Sequence, residues 1–222
     1  MSRSPYKMPT VFVACPYDEK RFKFSLFKKE LQTLPFKIEY ADTNLETRHL
    51  LERIKRLIKA ADFSFFDLSR WNPNVSLELG LAEGMKIPYY ILVNSKLEKD
   101  VPSDIKGIQR IEYAQLQLGD KSLRSQIIQY FFKKKYPVTK DLWMKLSRHK
   151  NSNKIYDFGL RVLAFLRDHH AISVDDFGEI SRGLYVRIED QNYVIESLTQ
   201  LKALKKAYGR EEYLLKKEIY KK

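Results

Sequence analysis

The chain carries a single cysteine, Cys15, among its 222 residues. An internal disulfide framework is therefore excluded, and a reducing compartment is the natural setting. Long apolar runs are also missing. The longest uncharged one, Ile87 to Val93, falls well short of the roughly 20 residues that a membrane helix requires. Met1 to Thr10 is polar and has no apolar signal-peptide core, so a cytoplasmic protein is expected. No Gly-x-Gly-x-x-Gly or Walker-type loop occurs, which argues against dinucleotide-dependent dehydrogenase and P-loop chemistry. No Gly-x-Ser-x-Gly elbow is present. The four histidines, His49, His149, His169 and His170, lack ligand spacing with Cys15, and no metal site is expected. There is no internal repeat and no low-complexity tract.

What remains is an ordinary folding composition, 44% apolar and 31% charged. The length suffices for one good core or for a medium and a small domain. The net charge of +13 is unevenly spread. Residues 1–120 hold 19 of the 41 basic and 16 of the 28 acidic side chains, a balance of +3, and the rest of the chain carries +10. The basic character belongs to the C-terminal part. Nucleic acid is one partner that would use it, and a solvated lysine-rich helical surface is the plainer alternative.

Strand and helix patterns alternate through the first part. Thr10 to Cys15 is a continuous apolar run, as in a strand buried on both faces. Helical spacing follows over residues 19–33, with Phe22, Leu26, Phe27 and Leu31 on one stripe. Strands are expected at 36–40, 63–68, 89–93 and 109–113, and helices at 47–61 and 73–85. The pattern predicts an α/β, flavodoxin-like domain, with about five parallel strands and helices on both faces. Ligands of such sheets bind at the carboxyl ends of the strands, near the topological switch. After Ser122 helical patterns dominate, at 127–132, 141–148, 156–168 and 192–208, with a short strand expected at Tyr185 to Ile188. The expected domains are 1–136 and a basic, mainly helical 137–222. A helix-turn-helix fits the latter, with Ile155 to Arg167 first, Ser173 capping Val174 to Ile180, and a third helix after it. A helical packing or oligomerisation domain fits equally.

The helix that begins at Asn72-Pro73 contains the residue most in need of explanation. Asn72 suits a cap and Pro73 a first turn. At about 100° per residue, Val75, Leu79, Ala82 and Met85 define an apolar face. Glu78 lies inside that arc. A buried carboxylate is costly unless it is paired or neutralised, and proteins accept the cost mostly at functional sites. An ion pair with Arg21 or Arg48 accounts for it structurally. A ligand at the carboxyl edge accounts for it functionally, because Glu78 lies near the helix start, and Gly80 permits close approach. Pro16, Tyr17, Asp18 and Arg21 follow the first strand, Asp42 and its neighbours the second, and Asp67 and Ser69 the third. Each has a bland reading: Asp67 ties down a turn, Asn74 satisfies the helix start, Arg21 is a surface charge. Together with Asn72 they form a candidate binding site for a nucleotide.

Val11 to Glu19, Ala41-Asp42-Thr43, and Asp67-Leu68-Ser69 with Asn72-Pro73-Asn74-Val75 and Glu78-Leu79-Gly80 resemble two related groups. These are the nucleoside 2-deoxyribosyltransferase-like proteins and the TIR-like nucleotide-binding proteins of prokaryotic immunity. Val101 to Tyr113 is similar to their last strand. The resemblance covers about residues 9–130. It implies cleavage of an N-ribosyl bond, with Glu78 touching the sugar as nucleophile or as stabilising anion. On the TIR-like side NAD+ is the substrate, no cofactor is needed, and antiviral defence is the setting. On the transferase side base exchange wants a second carboxyl group, Asp42 or Asp67. The extra basic region favours the TIR-like side. A nucleotide sensor that binds nucleic acid through its C-terminal part is the third reading. Self-association into a homo-oligomer is expected.

Overall fold

The structure is a computed structural model and describes residues 9–18, 23–40, 47–70, 72–97, 108, 110–117, 119–135, 137–169, 171–201, 203–206 and 212–215. The chain divides into two compact units. One contains residues 9–32 and 36–128, the other 33–35 and 129 onward.

The first unit is a five-stranded parallel sheet with helices on both faces. Its strands are β1 (Thr10–Ala14), β2 (Lys37–Tyr40), β3 (Phe63–Asp67), β4 (Tyr89–Asn94) and β5 (Arg110–Tyr113). Its helices are α1 (Phe24–Gln32), α2 (Thr47–Ala60), α3 (Pro73–Gly84) and α4 (Leu123–Ile127). The spatial order β2-β1-β3-β4-β5 reverses direction between β1 and β3. At such a reversal flavodoxin-like sheets bind their ligands, beyond the carboxyl ends of the two strands.

Side chains alternate across the sheet and sort the two faces. Phe12, Ala14, Phe66, Ile91 and Val93 pack with Ile54 and Ile58 of α2 and with Val75 and Ala82 of α3. Val13, Phe65 and Tyr40 point to the opposite face: Val13 stands in register with both of the others. Phe24 of α1 meets Tyr40 edge-on there, with ring centroids 5.8 Å apart. β3 is buried along its whole length, which explains its uninterrupted apolar run. Phe65 is central to an aromatic group, 5.8 Å from Phe36, 5.3 Å from Phe63 and 6.0 Å from Tyr90.

The second unit holds α5 (Pro137–Leu146), α6 (Ser152–His169), β6 (Ala171–Ser173), α7 (Val174–Arg182), α8 (Ile188–Gln200), β7 (Leu204–Lys206) and β8 (Glu212–Leu215). A π-helical turn, Ile128–Phe132, follows α4. α6 is its core, with Ile155, Tyr156, Phe158, Leu160, Val162 and Leu166 buried. A Cβ on Gly159 would lie 2.9 Å from the Leu142 side chain, so α5 and α6 approach as closely as glycine allows. Ser173 and Asp176 form a reciprocal capping box at the start of α7. α6, α7 and α8 follow one another in the chain, with β6 between α6 and α7.

Two expectations for this part are corrected. Tyr185 to Ile188 is not a strand. Tyr185 has a φ of 53°, the Val186 N–H bonds the Ser181 carbonyl at 3.1 Å, and Ile188 begins α8. The apparent alternation came from a buried Val186 within a turn. The helix expected over 192–208 ends at Gln200, and Leu204–Lys206 is a strand. With β6 and β8 it makes a three-stranded antiparallel sheet in the order β6-β8-β7.

Removing the Phe65 ring opens a hole in a fully buried aromatic group. Phe65→Ala is expected to cost about 3–5 kcal/mol, read as a lower urea midpoint for loss of near-UV circular dichroism.

Candidate active site

Four of the five strands of the large sheet end in a polar or ionisable residue at the carboxyl edge. Tyr40 closes β2, Asp67 β3, Asn94 β4 and Tyr113 β5, while Cys15 directly follows β1. Asp67 is fully buried. Its Oδ2 accepts a hydrogen bond from the Tyr113 hydroxyl at 2.8 Å, and its Oδ1 accepts one from the Ser69 N–H at 2.9 Å. The Ser69 hydroxyl lies 3.3 Å from that of Tyr113 and accepts from the Asn94 N–H at 2.7 Å. The network ties the ends of β3, β4 and β5 together. Burial lifts the Asp67 carboxyl to about 6, against the opposing pull of the hydrogen bonds from Ser69 and Tyr113. Burial, and then the neighbouring Asp67 charge, push the Tyr113 phenol far up, so it remains a donor.

α3 delivers the second carboxyl group. Asn72 caps the helix by accepting from the N–H groups of Asn74 at 2.9 Å and Val75 at 3.3 Å. From that start Val75, Glu78 and Ala82 form the buried stripe, and Glu78 is only 7% exposed. Leu79 and Met85 pack against the same core from its margin. Among the described residues no hydrogen bond or ion pair reaches the Glu78 carboxylate. Burial alone raises it to about 7. Arg21 lies outside the described residues, as does the side chain of Arg48.

Cys15 lies within electrostatic range of both carboxyl groups. Its thiol is buried and pushed well up, first by that burial and then by the charges of Asp67 and Glu78. A thiol held in this form is a weak nucleophile.

The other predicted residues distribute as follows. Pro16 is buried, Tyr17 is 41% exposed and packs on Phe24, with ring centroids 4.6 Å apart, and Asp18 is half-buried. Asp67 and Ser69 are committed to the strand-end network and Asn72 to the cap. Asn74 is exposed. Arg21 and Asp42 lie outside the described residues. No described atom comes within 4 Å of a Cβ built on Gly80, so internal packing does not demand that glycine. Tyr40, Asn94 and Tyr113 escaped the sequence reading. Each is the last residue of its strand; the ends of the strands expected at 36–40 and 109–113 pointed to Tyr40 and Tyr113, while Asn94 lies one residue past the strand expected at 89–93. Among the described residues no group of three or more His, Cys, Asp or Glu is placed to hold a metal ion, and no helix is long and apolar enough to cross a membrane. No family model matches the chain, and no curated protein is significantly similar to it.

The raised carboxyl groups set a pH dependence. Glu78 and Asp67 hold their protons in the folded chain at pH values where the unfolded chain has lost them. Stability therefore falls as pH rises from about 4 to about 7, and the loss is complete above that. Glu78→Gln removes the Glu78 share. It is expected to match the wild type at pH 4.5 and to be more stable by about 3 kcal/mol at pH 8, measured by urea unfolding at both pH values. Asn72→Ala is expected to cost about 1 kcal/mol in the same measurement, through the lost cap.

Proposed function

We propose that the protein cleaves an N-ribosyl bond, that NAD+ is its substrate and that Glu78 is the catalytic carboxylate. The observation that carries this reading is a buried carboxyl group without a counter-ion among the described residues, early in α3 and near the β1/β3 reversal. The anomeric carbon becomes positive as its bond to the ring nitrogen breaks. A carboxylate beneath it stabilises that charge or captures it. The bonding electrons return to the cationic nicotinamide nitrogen, so the ring leaves neutral and needs no proton. Water supplies the hydroxyl of the ribosyl product and releases one proton.

Base exchange between nucleosides is the second reading, and it wants a general acid for the departing base. Asp67 is poorly suited to that task, because both its oxygens accept internal hydrogen bonds and the residue is fully buried. This favours a leaving group that departs without protonation. No resident cofactor is invoked. The likeness to TIR-like proteins extends the proposal to a cytoplasmic, self-associating defence protein. A nucleic-acid-binding C-terminal unit receives less support. α8 is the third helix of the expected helix-turn-helix, yet it contains no Lys or Arg and exposes Glu189 and Glu196. Phosphate binding draws on cations that this helix lacks.

Incubation with NAD+ is expected to release nicotinamide, with a rate that rises through about pH 7 as Glu78 ionises. Glu78→Gln is expected to lose about 100-fold or more. Equal release by the variant overturns the assignment. Base exchange on deoxynucleosides without nicotinamide release establishes the second reading instead.

A further inference from the structure

Tyr40 poses a problem that the fold does not solve. Its hydroxyl is buried and has no hydrogen-bond partner among the described residues. Interior hydroxyl groups are almost always paired, and an unpaired one weakens the fold. The ring itself is well held: Phe24 meets it edge-on, and the Lys28 ammonium stands 5.6 Å from its centroid. A phenylalanine would make the same contacts without the orphan group. Burial, followed by the nearby Cys15 and Tyr17, pushes the phenol far up, so it is a donor awaiting an acceptor.

The position of Tyr40 suggests which acceptor. Glu78 rises from α3, whose stripe packs on the Phe12 and Phe66 face of the sheet. Tyr40 is in register with Val13 and points to the other face. Cys15, just after β1, feels the Glu78 charge and in turn influences Tyr40. When a carboxylate supports cleavage at an anomeric carbon from one side, the leaving group departs from the opposite side. The far side here carries Tyr40 and a short aromatic wall, Tyr17 on Phe24 and Phe24 on Tyr40. Flat heteroaromatic rings favour such surfaces.

We propose that Tyr40 donates a hydrogen bond to the planar leaving ring of the substrate, and that Tyr17, Phe24 and Tyr40 form the leaving-group subsite opposite Glu78. This rests on the N-ribosyl reading and adds the location of the ring. For NAD+ the acceptor is the carboxamide oxygen of nicotinamide.

Nicotinamide and ADP-ribose, the two halves of the substrate, separate the possibilities. Binding of each to wild type and to Tyr40→Phe is measured by ligand-observed NMR and calorimetry, alongside the thermal midpoint of the apo-proteins. The expected result is a three- to tenfold loss of nicotinamide affinity, about the worth of one neutral hydrogen bond, with ADP-ribose affinity unchanged. The apo midpoint is expected to stay level or rise. An equal loss for both probes, no loss for either, or a clear fall in the midpoint overturns the role of Tyr40. Wild type that binds ADP-ribose but no nicotinamide also overturns it while leaving the N-ribosyl reading intact. Wild type that binds neither probe and releases no nicotinamide from NAD+ brings down that reading and this inference together.

Discussion

Asp67 accepts hydrogen bonds from the Tyr113 hydroxyl and the Ser69 N–H, while the Ser69 hydroxyl accepts from the N–H of Asn94. One buried carboxyl group thus fastens the carboxyl ends of three neighbouring strands. Parallel strands have no tight hairpins to hold their ends together, because each connection crosses a face of the sheet. Side-chain bonding at the edge supplies what the connections cannot. A firm edge is also what a ligand site there requires, since a catalytic carboxylate must be held to within a fraction of an ångström to act on a bound sugar.

Asp67 and Glu78 show how environment divides labour between like groups. Both are buried and both are raised, to about 6 and about 7. Asp67 is supplied with donors and serves the fold. Glu78 has none among the described residues and weakens the fold once it ionises. Retaining such a group on an apolar stripe is understandable where a positive charge develops in the ligand. Tyr40 belongs to the same category: its hydroxyl is buried without a hydrogen-bond partner among the described residues.

Much of the first unit was legible because it obeys simple periods. The five strands are mostly apolar runs and the helices keep a 3.6-residue rhythm, so the alternation of parallel strands and helices is readable. Glu78 was visible as a break in that rhythm. The strand-end network was not, because Tyr113 and Asn94 sit far from Asp67 in sequence and meet it only when β4 and β5 pair beside β3. The second unit was less legible for a different reason. Short pieces such as Tyr185 to Ile188 mimic alternation, and only the left-handed Tyr185 shows that the chain is turning. The strand at Leu204–Lys206 depends on pairing with β8, which no local pattern of three residues announces.

Composition and periodicity by themselves determined the α/β architecture, the placement of Glu78 on a buried stripe and the concentration of positive charge in the C-terminal part. These are local properties, encoded in side-chain size and spacing. Tertiary structure alone decided which of the two carboxyl groups finds hydrogen-bond donors among the described residues, and that Tyr40 lies on the sheet face away from α3. Donors for Asp67 come from other strands, and desolvation is a property of everything packed around a group. Neither can be computed from neighbours in the chain.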